Sequence, residues 1–366
     1  MTSTSAERVA VLGTGLIGTS IAMASARVGC SVAGWDEDPT AIAAASERAA
    51  VRIASTPEDA VTDADVVIVC TPVPAIAPLA ARALASAPGA VVTDAGSIKE
   101  GVVRGVIDLA GPAGTKRFIG GHPMGGSERS GPEHASPAVV DGIVWVLTPS
   151  ERVDPAAVAM VEGWVERIGG RPVQMSAARH DRLVAFVSHL PQIASTALMA
   201  LAATEEADEP EILLLAAGGF RDLTRLASSN PGLWSQILLA NRHGIAAAID
   251  LYSQRLADLR DMVLEGRGPE IEEMFASAKR ARLRLATKPT VRAGIAVLQV
   301  QVPDRPGALA ELTSTMAESS VNIEDLQIVH SPEGGRGTVH LTVAAASADE
   351  ALRVLAAGSF DPIRLA

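Results

Sequence analysis

Between a short apolar run, Arg8-Val9-Ala10-Val11-Leu12, and an alanine-rich helical stretch, the chain reads Gly13-Thr14-Gly15-Leu16-Ile17-Gly18. A strand must end and a helix begin within these six residues. In that setting the first glycine makes the tight turn, the second leaves room for a phosphate chain, and the third lets the helix pack closely on the strand. Helix N-terminal amides then face the ligand. The next apolar run, SVAGW, ends at Asp36, where a carboxylate can accept hydrogen bonds from both ribose hydroxyls and would repel a 2′-phosphate. The pattern predicts a dinucleotide site made by Gly13, Gly15, Leu16, Ile17, Gly18 and Asp36, with NAD favoured over NADP.

Further apolar runs at 65–70, 90–95 and 143–148 alternate with helical stretches. Continuous apolar strands suit a parallel sheet covered on both faces, so residues 1–173 read as a doubly wound α/β domain of Rossmann type. After RPVQM at 171–175 the strand signals stop. From Ser176, a plausible N-cap, to about Ala286 the pattern is helical, which sets an all-α domain over 174–288. TKPT at 287–290 reads as a linker. Residues 291–366 then follow the order strand, helix, strand, turn, strand, helix, strand, a βαββαβ ferredoxin-like module.

A net charge of −11 argues against nucleic acid as a partner, because phosphate binding wants a basic face. No basic amphipathic stretch suits a membrane surface. The apolar stretch over roughly 183–203 is interrupted by Ser188, His189, Pro191 and Gln192 and is expected to be a buried helix, since a span needs about 20 predominantly apolar residues. Cys30 and Cys70 lack metal-ligand spacing and are expected to be inert thiols in a reducing cytoplasm. No metal site is expected.

A second segment, FIGGHPMGGSERSG at 118–131, sets a single imidazole, His122, into a glycine-rich loop after a strand end. Glycine lets backbone approach a ligand closely, and histidine changes charge near neutral pH. SHLP at 188–191, FRDLTRLASSNPGLW at 220–234 and QVPDRPGALAEL at 301–312 follow in order. With these motifs, residues 8–285 resemble the prephenate/arogenate dehydrogenase family of tyrosine biosynthesis, and the C-terminal module resembles an ACT domain, a fold that binds regulatory amino acids.

The resemblance implies an active site between the dinucleotide domain and a helical dimerisation domain. There prephenate would be oxidised and decarboxylated to 4-hydroxyphenylpyruvate with hydride transfer to NAD, or arogenate would be the substrate. It makes His122 the proton acceptor, Ser97 a helper that fixes the substrate hydroxyl or the imidazole, and Arg221 the clamp on a substrate carboxylate. Guanidinium suits that last task as a planar two-point donor. Arg225, one turn on, would help or be solvated. Asp94 and Lys99 read more simply as a local structural pair.

Family members commonly carry SHLPH where this chain has Gln192, which leaves substrate choice open. His189 and Gln192, three apart on a helix, can border one cleft. His180 would face the opposite way on an unbroken helix, as a core histidine with a satisfied hydrogen bond, or would support the site from behind after a kink at Pro191. Trp234 would wall the pocket, and Glu128 would be solvated, contact the second subunit or gate the cleft. In the ACT module Asp304, Gly307 and Asn322 would hold an amino-acid effector, tyrosine being the logical one. A homodimer is expected.

Two rivals are weaker. β-Hydroxyacid dehydrogenases need a K-x-x-N lysine on the first long helix of the helical domain, and Lys99, Lys116, Lys279 and Lys288 all lie elsewhere. A non-catalytic sensor of NAD and an amino acid would need no protonatable residue near a carboxylate-binding arginine.

Overall fold

The computed structural model describes residues 8–49, 51–125, 131–285, 294–303, 305–319, 321–329 and 336–365. Glu128, Asp304 and the TKPT segment lie outside them. The chain divides into two units, Met1–Leu198 with Leu226–Leu251, and Met199–Arg225 with Tyr252–Ala366.

The first unit holds β1 (Arg8–Leu12), α1 (Leu16–Arg27), β2 (Ser31–Trp35), α2 (Pro39–Ala49), β3 (Arg52–Ile53), α3 (Pro57–Val61), β4 (Val66–Val69), α4 (Val73–Ser86), β5 (Val91–Asp94), α5 (Glu100–Thr115), β6 (Phe118–Pro123), β7 (Val144–Pro149), α6 (Pro155–Arg167) and β8 (Arg171–Gln174). Its sheet runs in the order β3-β2-β1-β4-β5-β6-β7-β8. Val9 and Val11 of β1 enter one buried cluster while Ala10 and Leu12 enter another, and β4 divides in the same way. Both faces are therefore covered, which accounts for the unbroken apolar runs. The sheet is mixed, not purely parallel: β7 runs antiparallel to β6, with Pro123 opposite Trp145. Between these strands the described residues hold only short 3-10 turns, at Pro132–His134 and Pro137–Val139, and no crossover helix.

The helical region begins at α7 (Ala177–Val184), capped by the Ser176 hydroxyl on Arg179 N. A π turn, Ala185–His189, leads into α8 (Leu190–Glu205). Pro191 has no N–H to give Val187, and the hydrogen-bond ladder widens just before it. This run is only partly buried, contrary to expectation. His189, Gln192 and Ser195 are inside, whereas Val187 and Leu201 are exposed. Next come α9 (Glu211–Leu214), α10 (Gly218–Thr224), α11 (Pro231–Ala240), α12 (Arg242–Leu264) and α13 (Gly268–Leu285).

The C-terminal module is β9 (Ile295–Pro303), α14 (Ala308–Glu318), β10 (Ile323–Val329), β11 (Arg336–Ala344), α15 (Ala348–Ala357) and β12 (Pro362–Arg364). Its antiparallel sheet has the order β10-β11-β9-β12. Inward residues of β9 and β11 pack with Leu312, Met316 and Leu355 of the two helices. This is the ferredoxin-like arrangement read from the sequence.

Candidate active site

At the carboxyl end of β1, Gly13 has φ +98°, and a Cβ there would lie 2.7 Å from the Cys70 carbonyl oxygen. A Cβ on Gly18 would come within 1.9 Å of the Gly13 carbonyl, whereas one on Gly15 would meet nothing within 4 Å. Two glycines thus close the turn, and the third faces open space at the start of α1. No side chain caps that helix start. A cleft of about 570 Å³ runs past Gly13, Gly15, Asp36, Thr71 and Pro72. Leu16 is buried against the core and Ile17 packs at its margin. One Asp36 oxygen accepts from Thr14 N at 2.5 Å and Thr14 Oγ1 at 3.1 Å, so the carboxylate braces the glycine turn while it lines the cleft. Open amides, a cramped turn and an acidic residue on the second strand fit a dinucleotide pyrophosphate and ribose.

The β5 and β6 ends meet the same edge of the sheet. His122 is not in a loop: it lies in β6, opposite Val146. The neighbouring glycine serves packing rather than ligand approach, because a Cβ on Gly121 would sit 2.4 Å from the Asp94 carbonyl oxygen. That closeness covers a fully buried ion pair, Lys99 with Asp94. Lys99 Nζ also donates to Gly121 O at 2.6 Å, and Gly121 N donates to Asp94 Oδ1 at 3.0 Å. Asp94 and Lys99 are the structural pair expected, and they hold the backbone beside His122. Burial pulls the Lys99 ammonium below its ordinary range, against the opposing pull of Asp94.

His122 is half-buried, and its Nδ1 lies 2.8 Å from Nε2 of His180. His180 is buried, with its Nδ1 2.7 Å from Asp181 Oδ1. Asp181 in turn accepts from the amides of Lys99 at 2.8 Å and Glu100 at 2.9 Å, at the start of α5. On an unbroken α-helix, nine residues at roughly 100° each would set His180 and His189 on opposite sides. The π turn changes that rotation. Asn241 joins the two regions, donating to Asp181 O at 2.8 Å and reaching His189 Nδ1 at 3.3 Å.

Burial, with the charges of His180, Lys99 and His189, holds His122 well below the ordinary imidazole value. Burial also brings His189 down to about 4, despite Asp181. Both rings are therefore neutral bases near pH 7.

The remaining expected residues have varied surroundings. Trp234 crosses His189 edge-on, ring centroids 6.0 Å apart. Gln192 donates to Leu226 O at 2.7 Å and accepts from Ser229 Oγ at 3.3 Å, so its amide is engaged within the protein. Ser97 is half-buried in the β5–α5 connection, and the ring partner of His122 is His180 rather than Ser97. Arg221 lies on α10 in the second unit with its side chain exposed, and Arg225 begins the 3-10 turn that follows. In the C-terminal module Gly307 has φ +88° and starts α14. Asn322 is exposed, bonds Glu324 at 2.6 Å, and lines a groove with Thr313, Met316 and Val321. Asp181 and Asn241 were missed at the sequence level. An acidic residue directly after His180 was the one available signal.

A Rossmann-type sheet with an open glycine turn and, at the same carboxyl-terminal edge, a neutral half-buried imidazole defines a dinucleotide-dependent oxidoreductase. The family models agree. Residues 21–174 match the prephenate dehydrogenase nucleotide-binding domain, 176–277 the prephenate dehydrogenase dimerization domain, and 296–357 the ACT domain. The chain is 31% identical to prephenate dehydrogenase of Bacillus subtilis, covering 92% of each sequence. It is also 31% identical to cyclohexadienyl dehydrogenase of Zymomonas mobilis, over 78% of this chain and 98% of the relative. The Aquifex aeolicus prephenate dehydrogenase solved with hydroxyphenyl propionate and NAD+ superposes with a TM-score of 0.72 at 29% identity, covering 77% of this chain and 99% of that one. Synechocystis arogenate dehydrogenase gives a TM-score of 0.66 at 29% identity, over 75% and 98% of the two chains. The chain belongs to the prephenate dehydrogenase family.

Proposed function

We propose that this protein is an NAD-dependent prephenate dehydrogenase, converting prephenate to 4-hydroxyphenylpyruvate and CO₂ in tyrosine biosynthesis. The observation that carries the reading is His122: a neutral imidazole with one ring nitrogen engaged by His180 and the ring still partly open. Gly13, Gly15, Leu16, Ile17 and Gly18 form the turn that would take the pyrophosphate, and Asp36 would take the adenosine ribose. Bound NAD⁺ supplies the hydride acceptor.

The protein's part is to bind, orient and remove a proton. His122 takes the proton of the ring carbinol, with Ser97 close in sequence to the Asp94–Lys99 brace and suited to orient the same hydroxyl. Arg221 clamps a substrate carboxylate. Buried His189 and half-buried Trp234 form a wall, and Gln192 fixes the turn that follows the FRDLTR segment. The exposed apolar side chains of α12 and α13, Leu256, Val263 and Phe275 among them, suit pairing with a second copy of the chain. Gly307 and Asn322 flank the region of the ACT module where an amino-acid effector such as tyrosine would bind. Cys30 and Cys70, neither of them in a disulfide among the described residues, accord with a reducing cytoplasm.

Arogenate is the second reading, supported by the Synechocystis structure. Initial rates of NADH formation with each substrate decide between them. Faster turnover of prephenate supports the proposal; a preference for arogenate keeps the mechanism and changes the substrate. No turnover of either contradicts it.

A further inference from the structure

We infer that His180 and Asp181 are positioning residues for His122: they set which of its ring nitrogens is basic and support the cation it becomes. The inference rests on His122 being the proton acceptor.

The reasoning starts at the carboxylate. Asp181 receives the Lys99 and Glu100 amides, and its third neighbour is Nδ1 of His180. A carboxylate oxygen accepts from all three, so the proton of the third bond belongs to His180 Nδ1. A neutral imidazole carries one N–H, which leaves His180 Nε2 as a lone pair. That lone pair faces His122 Nδ1 at 2.8 Å, so His122 is protonated at Nδ1. Its Nε2 is left free to accept a proton. The opposite tautomer of His122 would set two lone pairs against each other at hydrogen-bond distance.

Charge makes the arrangement necessary. The titratable groups facing His122 are Lys99 from the β5–α5 connection, His180 from α7 and His189 from the π turn; the Lys99 ammonium opposes an imidazolium there, while His180 offers it a lone pair. Asp94 is taken up by Lys99. Asp181 is the carboxylate on the far side of His180, and Asn241 anchors its backbone. When His122 Nε2 gains the substrate proton, its Nδ1–H bond to His180 becomes charge-assisted, and the His180 N–H points at Asp181. The proton stays on His122 until exchange with solvent, and no further group need be protonated.

Asp181→Asn tests this. An amide can donate to His180 Nδ1, shifting the His180 proton to Nε2 and that of His122 to its own Nε2. With saturating NAD⁺ and prephenate, kcat should fall ~10²–10⁴-fold, as the wrong tautomer costs in other histidine-based sites. KM for NAD⁺ should hold, and the acidic limb of the kcat–pH profile should move to lower pH. A loss of folded enzyme alone would lower kcat and leave the limb in place. Nitrogen NMR of the full-length protein labelled at its 7 histidines reads the wild-type tautomer directly, whether or not the variant folds. Protonation of His122 at Nδ1 is expected; protonation at Nε2, or wild-type kcat and pH limb in Asp181→Asn, would overturn the inference. His122→Asn separates the two ideas. If it keeps full activity, the acceptor role itself fails; if it is inactive while Asp181→Asn is unaffected, only the positioning role fails.

Discussion

The glycine turn after β1 and the imidazole cluster beside β6 share one edge of one sheet, yet they are built by opposite means. The turn is backbone chemistry within six consecutive residues: two glycines that tolerate no Cβ and one that opens on the cleft. The cluster is side-chain chemistry from four separated segments, with Lys99 and Asp94, His122, the His180–Asp181 pair and Asn241 joined by hydrogen bonds in the interior. A site made by local backbone can be moved among sequences as a motif. One made by buried polar side chains depends on every element that supplies a partner.

The contrast can be broken from either side. Lys99→Met leaves Asp94 buried without its cation and should destabilise the fold by about 3–5 kcal/mol, read as a lowered denaturation midpoint. Gly18→Ala should cost about 1–3 kcal/mol in overpacking and weaken NAD⁺ binding, while the His122–His180 hydrogen bond persists. Titration calorimetry showing wild-type NAD⁺ affinity in that variant would contradict the role of the turn. Arg221→Ala should raise KM for prephenate ~10–100-fold with a smaller change in kcat, the worth of a charge-assisted carboxylate contact. An unchanged KM removes Arg221 from the clamp.

The smallest effect is on stability against pH. His122 and His189 have native values below the unfolded value of 6.5. The unfolded chain therefore binds more protons below that pH. Their contribution to stability is complete above pH 6.5 and declines as pH falls toward 4, by at most about 1.4 kcal/mol per pH unit for each ring. Denaturant melts across that range should show the slope, reduced in His189→Asn. A flat profile would show that these rings do not titrate on unfolding.

The same contrast explains how much was legible in the sequence. Strands β1, β2, β4 and β5 follow apolar runs, and the C-terminal module keeps its order of elements, because burial on fixed faces imposes those patterns. The two-residue β3 has no such run. The direction of β7 was not legible either, since an apolar strand reads the same both ways. His122 stood out by its glycine setting, but that setting suggested a loop. Gly121 proves to be there so that β6 can close over Asp94. For His180 regular helical counting left the core and the site both open, because it does not foresee the π turn before Pro191. Asp181 has only its place next to His180 as a signal and Asn241 has none, because their meaning lies in partners distant along the chain.

The account turns on His122 as the proton acceptor, and the most direct measurement is kcat of His122→Asn with prephenate, alongside its NAD⁺ affinity. The expected result is a ~10²–10⁴-fold lower kcat with NAD⁺ binding nearly intact. Turnover equal to wild type would contradict the account.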